Sequence, residues 1–393
     1  MANIYRYSQV NIAGPAASNS ETGFWNERAQ PLKSNWTISR QDEHYTVTIL
    51  HWIQYDPYLP EGEQDSPLAN RGWVLQERLL SPRTLYFGTK RTYFECCTNT
   101  RHENLHFPYV GDYQQSSELQ KRDFRSLTSE QSALKFWAQL IVVYTEMALT
   151  FPNDRLPAVS AIARQVQPLI RSRYLAGIWE SDIPRGLSWY IPHYRWKMKE
   201  VSQSAANSCI APSWSWISAK LNASIPVVNY SIHFRTAINN WDAQVDLESD
   251  DEFGRVKGGT LKLRGKILTL DVYELQDNIV STRLSLYLRH PELEDSIVGR
   301  YELDEAPVRP EIQQPEPVYS PSSTYPLLQS VQFLYLGQWP ASNEWAALAI
   351  QPVEGNEQLF RRIGMAHRHD YTASSSLATL LWESGRTINV ELV

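Results

Sequence analysis

The chain has 393 residues and a formal net charge of −6; 42% of its residues are hydrophobic and 20% are charged. This composition is typical of globular proteins, and the length is sufficient for one large domain or two. The acidic balance argues against a general nucleic-acid binder, which needs a basic surface to displace counterions from phosphates. The short basic runs Lys197–Lys199 and Arg361–Arg362 are predicted to be solvated.

The cysteines and the apolar runs indicate where the protein resides. Cys96, Cys97 and Cys209 are too few for a disulfide framework and favour a reducing compartment. No secretory signal opens the sequence, and its longest apolar run, Leu140–Phe151, contains Glu146 and is too short to cross a bilayer. We therefore expect a soluble cytoplasmic protein that has no membrane partner.

The first elements in chain order are short. Ile4 and Tyr7 recur at helical spacing, and Gln9–Ala13 alternates like a strand. Glu43–Trp52 is rich in Thr, Val, Ile and Tyr, which predicts a strand. Arg71–Leu80 has the apolar spacing of a short helix, which a following proline ends.

A hairpin and three longer helices are predicted next. Two β-type runs flank Gly88-Thr89-Lys90, a composition and spacing typical of a hairpin. Asp154 followed by Pro157 has the pattern of a helix N-cap with an early proline. The predicted hairpin strands and helices are Thr84–Phe87, Arg91–Cys96, Leu127–Ala148, Leu156–Ile170 and an interrupted helix over Tyr174–Trp189.

Beyond about residue 220 the helical spacing gives way to short β-type runs. The predicted strands are Val227–Thr236, Trp241–Glu248, Thr260–Tyr273, Leu284–Leu288, Val331–Leu336, Trp345–Gln351, Leu359–Met365, Leu377–Trp382 and Thr387–Leu392. Residues 305–326 are rich in proline and are predicted to form an exposed or disordered loop. The sequence thus predicts an α+β fold with a helical first half and an antiparallel, β-rich second half.

The sequence carries no recognisable catalytic or metal-binding motif. The sequence contains no phosphate-binding loop, no dinucleotide-binding glycine motif and no nucleophile elbow. The pairs His102 with His106 and His367 with His369 lack the further ligands that a metal site needs. The acidic run Ser249–Gly254 lacks the register of a calcium loop and is predicted to be a solvated hairpin tip. We predict no catalytic, cofactor-binding or metal-binding residue.

Two polar or aromatic groups allow more than one interpretation. Glu77 and Arg78, next to Gln76, could present a paired acid and guanidinium to a ligand, but a structural role, clamping the neighbouring hairpin by charge-assisted hydrogen bonds, is favoured. Trp214 and Trp216 are two residues apart, so a strand there would aim both rings at one face. They could form a stacking platform for a base or sugar, but an aromatic plug between the helical and β halves is favoured.

Seven segments, in order, resemble blocks of the fungal heterokaryon incompatibility (HET domain) family. The most specific is RGWVLQERLLSPRTLYFGTKRTYFEC, and the ordered series covers almost the whole chain. The other six are MANIYRYSQVNIAGPAASNSETGFWNER, WAQLIVVYTEMALTFPNDRLPAVSAIA, YLAGIWESDIPRGLSWY, APSWSWIS, GRVKGGTLKLRGKI and LFRRIGMA. The family-motif residues, which we expect to be structural, are Arg71, Gly72, Trp73, Gln76, Glu77, Arg78, Asp154, Pro157, Trp214 and Trp216.

The resemblance implies a domain organisation and a function. The family's leading strands have no counterpart here, so we expect a chain truncated at its N-terminus: residues 1–30 as the remnant of a TIR-like HET domain, 31–220 as a mostly helical region and 221–393 as a β-rich domain. HET proteins trigger cell death when incompatible hyphae fuse. We therefore expect a non-catalytic protein that acts through protein–protein contacts, with no cofactor and no nucleic-acid partner. The alternatives are a TIR-like NAD hydrolase whose active core is largely missing and a degenerate copy that folds poorly.

Overall fold

The structure is a computed structural model, and the described residues fall into two compact units. It describes residues 2–15, 17, 21, 23, 32–40, 43–51, 68, 70–88, 92–102, 119–191, 211–219, 234–276, 284–289, 297–303, 327–339, 344–367, 382–383 and 385–393. The first unit comprises Met1–Leu127 and Met147–Leu149; the second comprises Thr128–Glu146 and Thr150–Val393. The predicted boundaries near residues 30 and 220 lie outside the described residues.

The first unit contains three short helices and two small sheets. Its elements are α1 (Ala2–Arg6), β1 (Asn11–Ala13), β2 (Leu32–Arg40), β3 (Glu43–His51), α2 (Gly72–Leu80), β4 (Arg83–Phe87), β5 (Thr92–Cys96), β6 (Thr100–His102) and α3 (Lys121–Arg125). One sheet has the order β1-β4-β5-β6, in which β1 runs parallel to β4 and the other pairs are antiparallel. The other sheet pairs β2 with β3. The predicted helix over Arg71–Leu80, the hairpin after it and the strand over Glu43–Trp52 are confirmed.

The second unit begins with two long helices. Its helices are α4 (Glu130–Thr145), α5 (Pro157–Ile170) and α6 (Ile183–Gly186). Ser129 caps α4 by accepting a hydrogen bond from the N–H of Ser132 at 3.2 Å, which leaves one fewer unsatisfied donor at the helix start. Pro157 occupies the first turn of α5, as predicted. The prediction that Asp154 caps α5 is wrong, because Asp154 belongs to a separate 3₁₀ turn and Leu156 occupies the cap position.

The predicted helix over Tyr174–Trp189 is also wrong. Its first residues form two short antiparallel strands, β7 (Tyr174–Leu175) and β8 (Ile178–Trp179), and only a 3₁₀ turn (Glu180–Asp182) and α6 are helical. Between the strands Ala176 and Gly177 both have positive φ, a conformation that ends any regular helix. The apolar residues of β7 and β8 are all buried, so the spacing that suggested a helix comes from a tight, fully buried hairpin.

The β-rich part of the second unit is one sheet of nine strands. They are β9 (Arg235–Thr236), β10 (Trp241–Leu247), β11 (Val256–Gln276), β12 (Leu284–Arg289), β13 (Ile297–Leu303), β14 (Leu327–Trp339), β15 (Glu344–Val353), β16 (Asn356–His367) and β17 (Arg386–Leu392). The strands β11-β12-β13-β16-β15-β14 form a closed barrel, because β14 returns to pair with β11. Asp271 shows the closure directly: it lies opposite Arg289 of β12 and Ser330 of β14.

The barrel encloses an apolar core. Leu268, Leu270 and Val272 are two residues apart on β11, so they point to the same face, and all three are buried with Phe333 and Trp345. Strand β15 is buried on both faces from its second to its seventh residue, which its run of small and apolar side chains permits.

Most of the predicted strands are confirmed, and the differences concern their number and ends. Strands β2, β6 and β13 were not predicted. Of the predicted strand Leu377–Trp382, only Trp382 is described, and it lies in a helical turn with Glu383. Residues 227–233 and 305–326 lie outside the described residues. No helix in the described part of the chain is both long and apolar enough to cross a membrane.

Candidate functional site

Helix α2 begins where its main chain meets a neighbouring segment. The N–H of Gly72 donates to the carbonyl oxygen of Ala148 at 2.9 Å, and the N–H of Ala148 donates to that of Asn70 at 2.6 Å. The first bond satisfies a main-chain donor that a helix start leaves free. Arg71, at the cap position, has an extended main chain and an exposed side chain, whereas Trp73 is half-buried.

The opposite side of α2 is buried. Leu75, Leu79 and Leu80 are each at most 1% exposed. Gln76 lies among these leucines at 3% exposure, and its Oε1 has no hydrogen-bond partner among the described residues. The apolar face of α2 therefore serves packing, as its sequence spacing predicts.

Arg78 links α2 to the hairpin by a two-point ion pair. Its Nε and Nη2 donate to Glu95 Oε2 and Oε1 at 3.0 and 3.1 Å. Tyr86, whose ring stacks on that of Tyr93 at 4.2 Å, donates its hydroxyl proton to Glu95 Oε2 at 2.9 Å. Burial alone would raise the pKa of Glu95, but the charge and hydrogen bonds of Arg78 hold it below its ordinary value.

Lys121, the first residue of α3, completes this charge cluster. Its side chain is fully buried; Nζ lies 3.8 Å from Glu95 Oε2 and donates to Thr84 Oγ1 at 2.8 Å. Burial lowers the pKa of Lys121 to about 8, although Glu95 opposes the change. Arg78, Glu95, Tyr86, Lys121 and Thr84 are hereafter the charge cluster, and its members satisfy each other inside the first unit.

Glu77 and Arg78 turn to different partners, so they do not form the acid–guanidinium pair that one hypothesis required. Glu77 accepts a side-chain hydrogen bond from Tyr5. Burial raises the pKa of Glu77, against the effects of Tyr5 and Arg71. Burial and the contact with Glu77 raise the pKa of Tyr5 to about 12. Glu77 thus connects α2 to α1 rather than to the hairpin.

Trp214 lies in a turn and Trp216 begins the 3₁₀ helix that follows, so neither is in a strand, and both are at most 1% exposed. Trp216 Nε1 and Trp137 Nε1 each donate to the carbonyl oxygen of Gly177 at 3.0 Å. Trp189 Nε1 donates to the carbonyl oxygen of Trp214 at 3.0 Å. No ring face of either tryptophan is open to a base or sugar, so the platform hypothesis is wrong.

Asp154 pairs with Arg255, the residue before β11, rather than capping a helix. Its Oδ1 accepts from Arg255 Nη2 at 2.8 Å. The nearby acidic turn packs on α5 as well: Arg164 pairs with Asp251 and lies 4.6 Å from the ring centre of Phe253, which is 2% exposed. The run forms the predicted hairpin tip between β10 and β11, and Ser249, Asp250 and Glu252 are exposed as expected, whereas Phe253 is buried against α5.

Arg362 is a residue whose role the sequence did not reveal. It was predicted to be solvated, but it is 2% exposed. Its guanidinium donates to the carbonyl oxygens of Leu187, at 2.6 Å, and Trp189, and lies 3.4 Å above the Trp189 ring. The block LFRRIGMA was the available signal, since an arginine within an apolar run is often buried with partners. Lys197–Lys199 lie outside the described residues.

The residues considered for metal binding give no site in the described part of the chain. No group of three or more His, Cys, Asp or Glu residues lies close enough there to hold a metal ion. His106, His369 and Cys209 lie outside the described residues. Cys96 and Cys97 are partly exposed free thiols. Burial would raise the pKa of Cys96, but hydrogen bonds with Thr98 lower it.

An exposed apolar surface lies in the first unit. Ile4, Tyr7, Val10 and Ile12 are 73%, 72%, 44% and 55% exposed, and we call these four residues the apolar segment. Among the described residues the remaining exposed large hydrophobic residue is Phe151, in the second unit. The apolar segment borders β1, an edge strand that pairs with β4 and with no other described strand. Exposed apolar groups beside a free strand edge are typical of interaction surfaces.

Comparison with known proteins gives no assignment: no family model, no curated protein and no solved structure matches the chain.

Proposed function

We propose that the chain is a non-catalytic member of the heterokaryon incompatibility family that acts in the fungal cytoplasm, through protein–protein contacts, in self/non-self recognition and programmed cell death. The resemblance of seven ordered segments supports the family. The motif residues Arg78, Asp154 and Trp216 contact other residues of their own unit, which is consistent with a scaffold role.

One observation carries the protein–protein part of the proposal: the clustering of exposed apolar side chains in residues 4–12. Full burial of an exposed apolar side chain contributes about 1.5–3 kcal/mol. The four residues are 44–73% exposed, so each can contribute a part of that amount to an interface. The partner surface that fits is apolar, and it can add main-chain hydrogen bonds along the outer edge of β1.

The test is a substitution that introduces charge into the apolar segment without changing a buried residue. The variant Ile4→Asp/Tyr7→Asp places two charges in the apolar segment, where both side chains are more than two-thirds exposed. Expressed in a fungal host behind the leading strands of a HET domain, the unmodified chain is expected to arrest growth, and this variant is expected not to. The control is Phe151→Asp, which changes an exposed apolar residue (65%) of the second unit and is expected to retain growth arrest.

Three results would contradict the proposal. Growth arrest by the double-aspartate variant would show that the apolar segment is not the contact surface. Turnover of NAD by the purified chain, abolished by one carboxylate substitution, would favour the TIR-like hydrolase. Poor solubility with a broad thermal transition would favour a degenerate copy.

A further inference from the structure

Strand β11 changes its partner along one of its edges, and the change leaves a break in the sheet. Leu263 lies opposite Trp241 of β10 and Val390 of β17, whereas Ile267 lies opposite Leu334 of β14 and Arg386 of β17. Strand β17 pairs with β11 at both Leu263 and Ile267, so it occupies one edge of β11 there. Strands β10 and β14 therefore lie one after the other along the opposite edge of β11. Residues 264–266 lie between them and pair with neither.

A cleft of about 550 Å³ opens beside this break. Arg264 and Lys266 line it from β11; they are two residues apart and so point to the same face. Arg235 of β9, which lies opposite Gln338 of β14, lines it from the other side of the break. The volume is within the range of about 300–1,000 Å³ that is typical of small-molecule sites.

The described residues leave the positive charge of the cleft largely unneutralised. Lys266 Nζ donates to the main-chain oxygen of Glu383 at 2.9 Å, a contact that leaves its charge in place. Arg235 and Arg264 form no ion pair with a described carboxylate, unlike Arg78, whose guanidinium is fully paired. Glu383 is exposed and also lines the cleft, so three cations face one carboxylate there. Two unpaired guanidinium groups in one cleft are suited to a phosphate group, which they can bind with two-point hydrogen bonds.

An aromatic pair forms another wall. The rings of Tyr335 and Trp382 stack at 4.8 Å with an angle of 12° between their planes. Trp382 is 4% exposed and is held from a second side by the Trp345 ring at 5.4 Å, so the pair is fixed in place. Tyr335 is only half-buried and lines the cleft, where a planar ring can stack on it.

We propose that this cleft binds a nucleoside monophosphate: the phosphate between Arg235, Arg264 and Lys266, and the base against Tyr335. The site is separate from the apolar segment, which belongs to the first unit, and the proposal does not depend on the function proposed above.

The experiment is isothermal titration of the whole chain with four probes: a purine and a pyrimidine nucleoside monophosphate, the corresponding nucleoside and inorganic phosphate. We expect at least one monophosphate to bind at least about tenfold more tightly than the nucleoside and than inorganic phosphate. The nucleoside lacks the phosphate contacts and inorganic phosphate lacks the base contacts, and each set contributes about 1.4 kcal/mol or more. Absence of binding by both monophosphates at millimolar concentration would overturn the proposal.

Variants assign the two halves of the site. Arg235→Gln/Arg264→Gln is expected to weaken monophosphate binding at least about tenfold, while Tyr335→Leu weakens monophosphate but not inorganic phosphate. The matched control Lys135→Gln/Lys257→Gln removes two exposed positive charges outside the cleft and is expected to leave affinity unchanged. If the control weakened monophosphate binding equally, the effect of the arginine variant would come from net charge alone. If Tyr335→Leu left monophosphate affinity unchanged, the base would not stack on Tyr335. Either result overturns the proposed site.

Discussion

Glu95 receives hydrogen bonds from three elements: α2 through Arg78, β4 through Tyr86 and α3 through the main-chain N–H of Lys121, whose buried ammonium also lies beside it. The variant Glu95→Gln keeps the size of the side chain but leaves two cations without their counter-charge. Removing one partner of a buried ion pair costs about 3–5 kcal/mol. We therefore expect Glu95→Gln to lower the free energy of unfolding of the first unit by that amount, measured by urea denaturation.

The control for this substitution is Glu180→Gln. Glu180 pairs with Arg173, whose side chain is 58% exposed, and exposed pairs contribute about 0–1 kcal/mol. Equal losses in the two variants would mean that the charge cluster contributes no more than a surface pair.

Lys121 makes the stability of the first unit depend on pH. Its pKa is about 8 in the folded chain, lowered by burial from an ordinary value of 10.5. Between pH 8 and 10.5 the unfolded chain binds more protons at Lys121 than the folded chain does, so the free energy of unfolding rises as pH increases. Below pH 8 Lys121 is charged in both states, and the cost of burying its charge is greatest. Relative to Lys121→Met, the unmodified chain is expected to gain about 2 kcal/mol between pH 7 and 9.5 in urea denaturation. A constant difference would mean that Lys121 does not titrate in this range.

The charge cluster shows which side-chain contacts can be predicted from a sequence. The clamp of the hairpin by Arg78 was predictable because helix and hairpin are adjacent in the chain. The contact of Lys121 with Thr84 was not predictable, since it joins residues 37 positions apart in the sequence. The partner of Glu77 was missed for a similar reason: Tyr5 precedes it by 72 residues.

At the scale of elements, the β7–β8 hairpin depends on Gly177. Its φ is +96°, and a Cβ atom there would lie 2.5 Å from Trp216 Nε1. Gly177→Ala therefore combines backbone strain, about 1–2 kcal/mol, with overpacking against a fixed ring, about 1–3 kcal/mol. We expect a total loss of about 2–5 kcal/mol in the free energy of unfolding of the second unit, measured by thermal and urea denaturation.

Gly355→Ala separates the two causes. Gly355 has a φ of +82°, but nothing lies within 4 Å of its Cβ position. It should lose only the strain term, about 1–2 kcal/mol. If the two alanine variants were equally destabilised, the contact with Trp216 would have no energetic effect.

The same hairpin explains where element prediction failed. Long helices such as α4 and α5 have a periodic apolar face over three or more turns, and this pattern is decisive. Tyr174, Leu175, Ile178 and Trp179 mimic that spacing over two turns only. These four residues are buried on every side because Trp137 and Trp216 pack around the hairpin. Both tryptophans are distant in the sequence, so the segment itself does not indicate this burial.

At the scale of the whole molecule, the sequence predicted the α+β composition and a β-rich second half but not the closure of the barrel. Closure depends on β11, a 21-residue strand that pairs with β10, β12, β14 and β17 at different points along its length. Strand propensity indicates that a segment is extended; it does not indicate its partners. The cleft beside residues 264–266 arises from this exchange of partners and was unpredictable for the same reason.

The two units are expected to unfold independently of each other. Each has its own buried residues, Leu75, Leu79 and Phe124 in the first and the barrel core in the second. Since units with separate cores open separately, hydrogen exchange should show two sets of protected amides. Glu95→Gln is expected to accelerate exchange in α2, β4 and β5 while leaving the amides of β11, β14 and β15 unchanged, and Gly177→Ala to do the reverse. Acceleration of both sets by either substitution would show that the chain unfolds as one cooperative body.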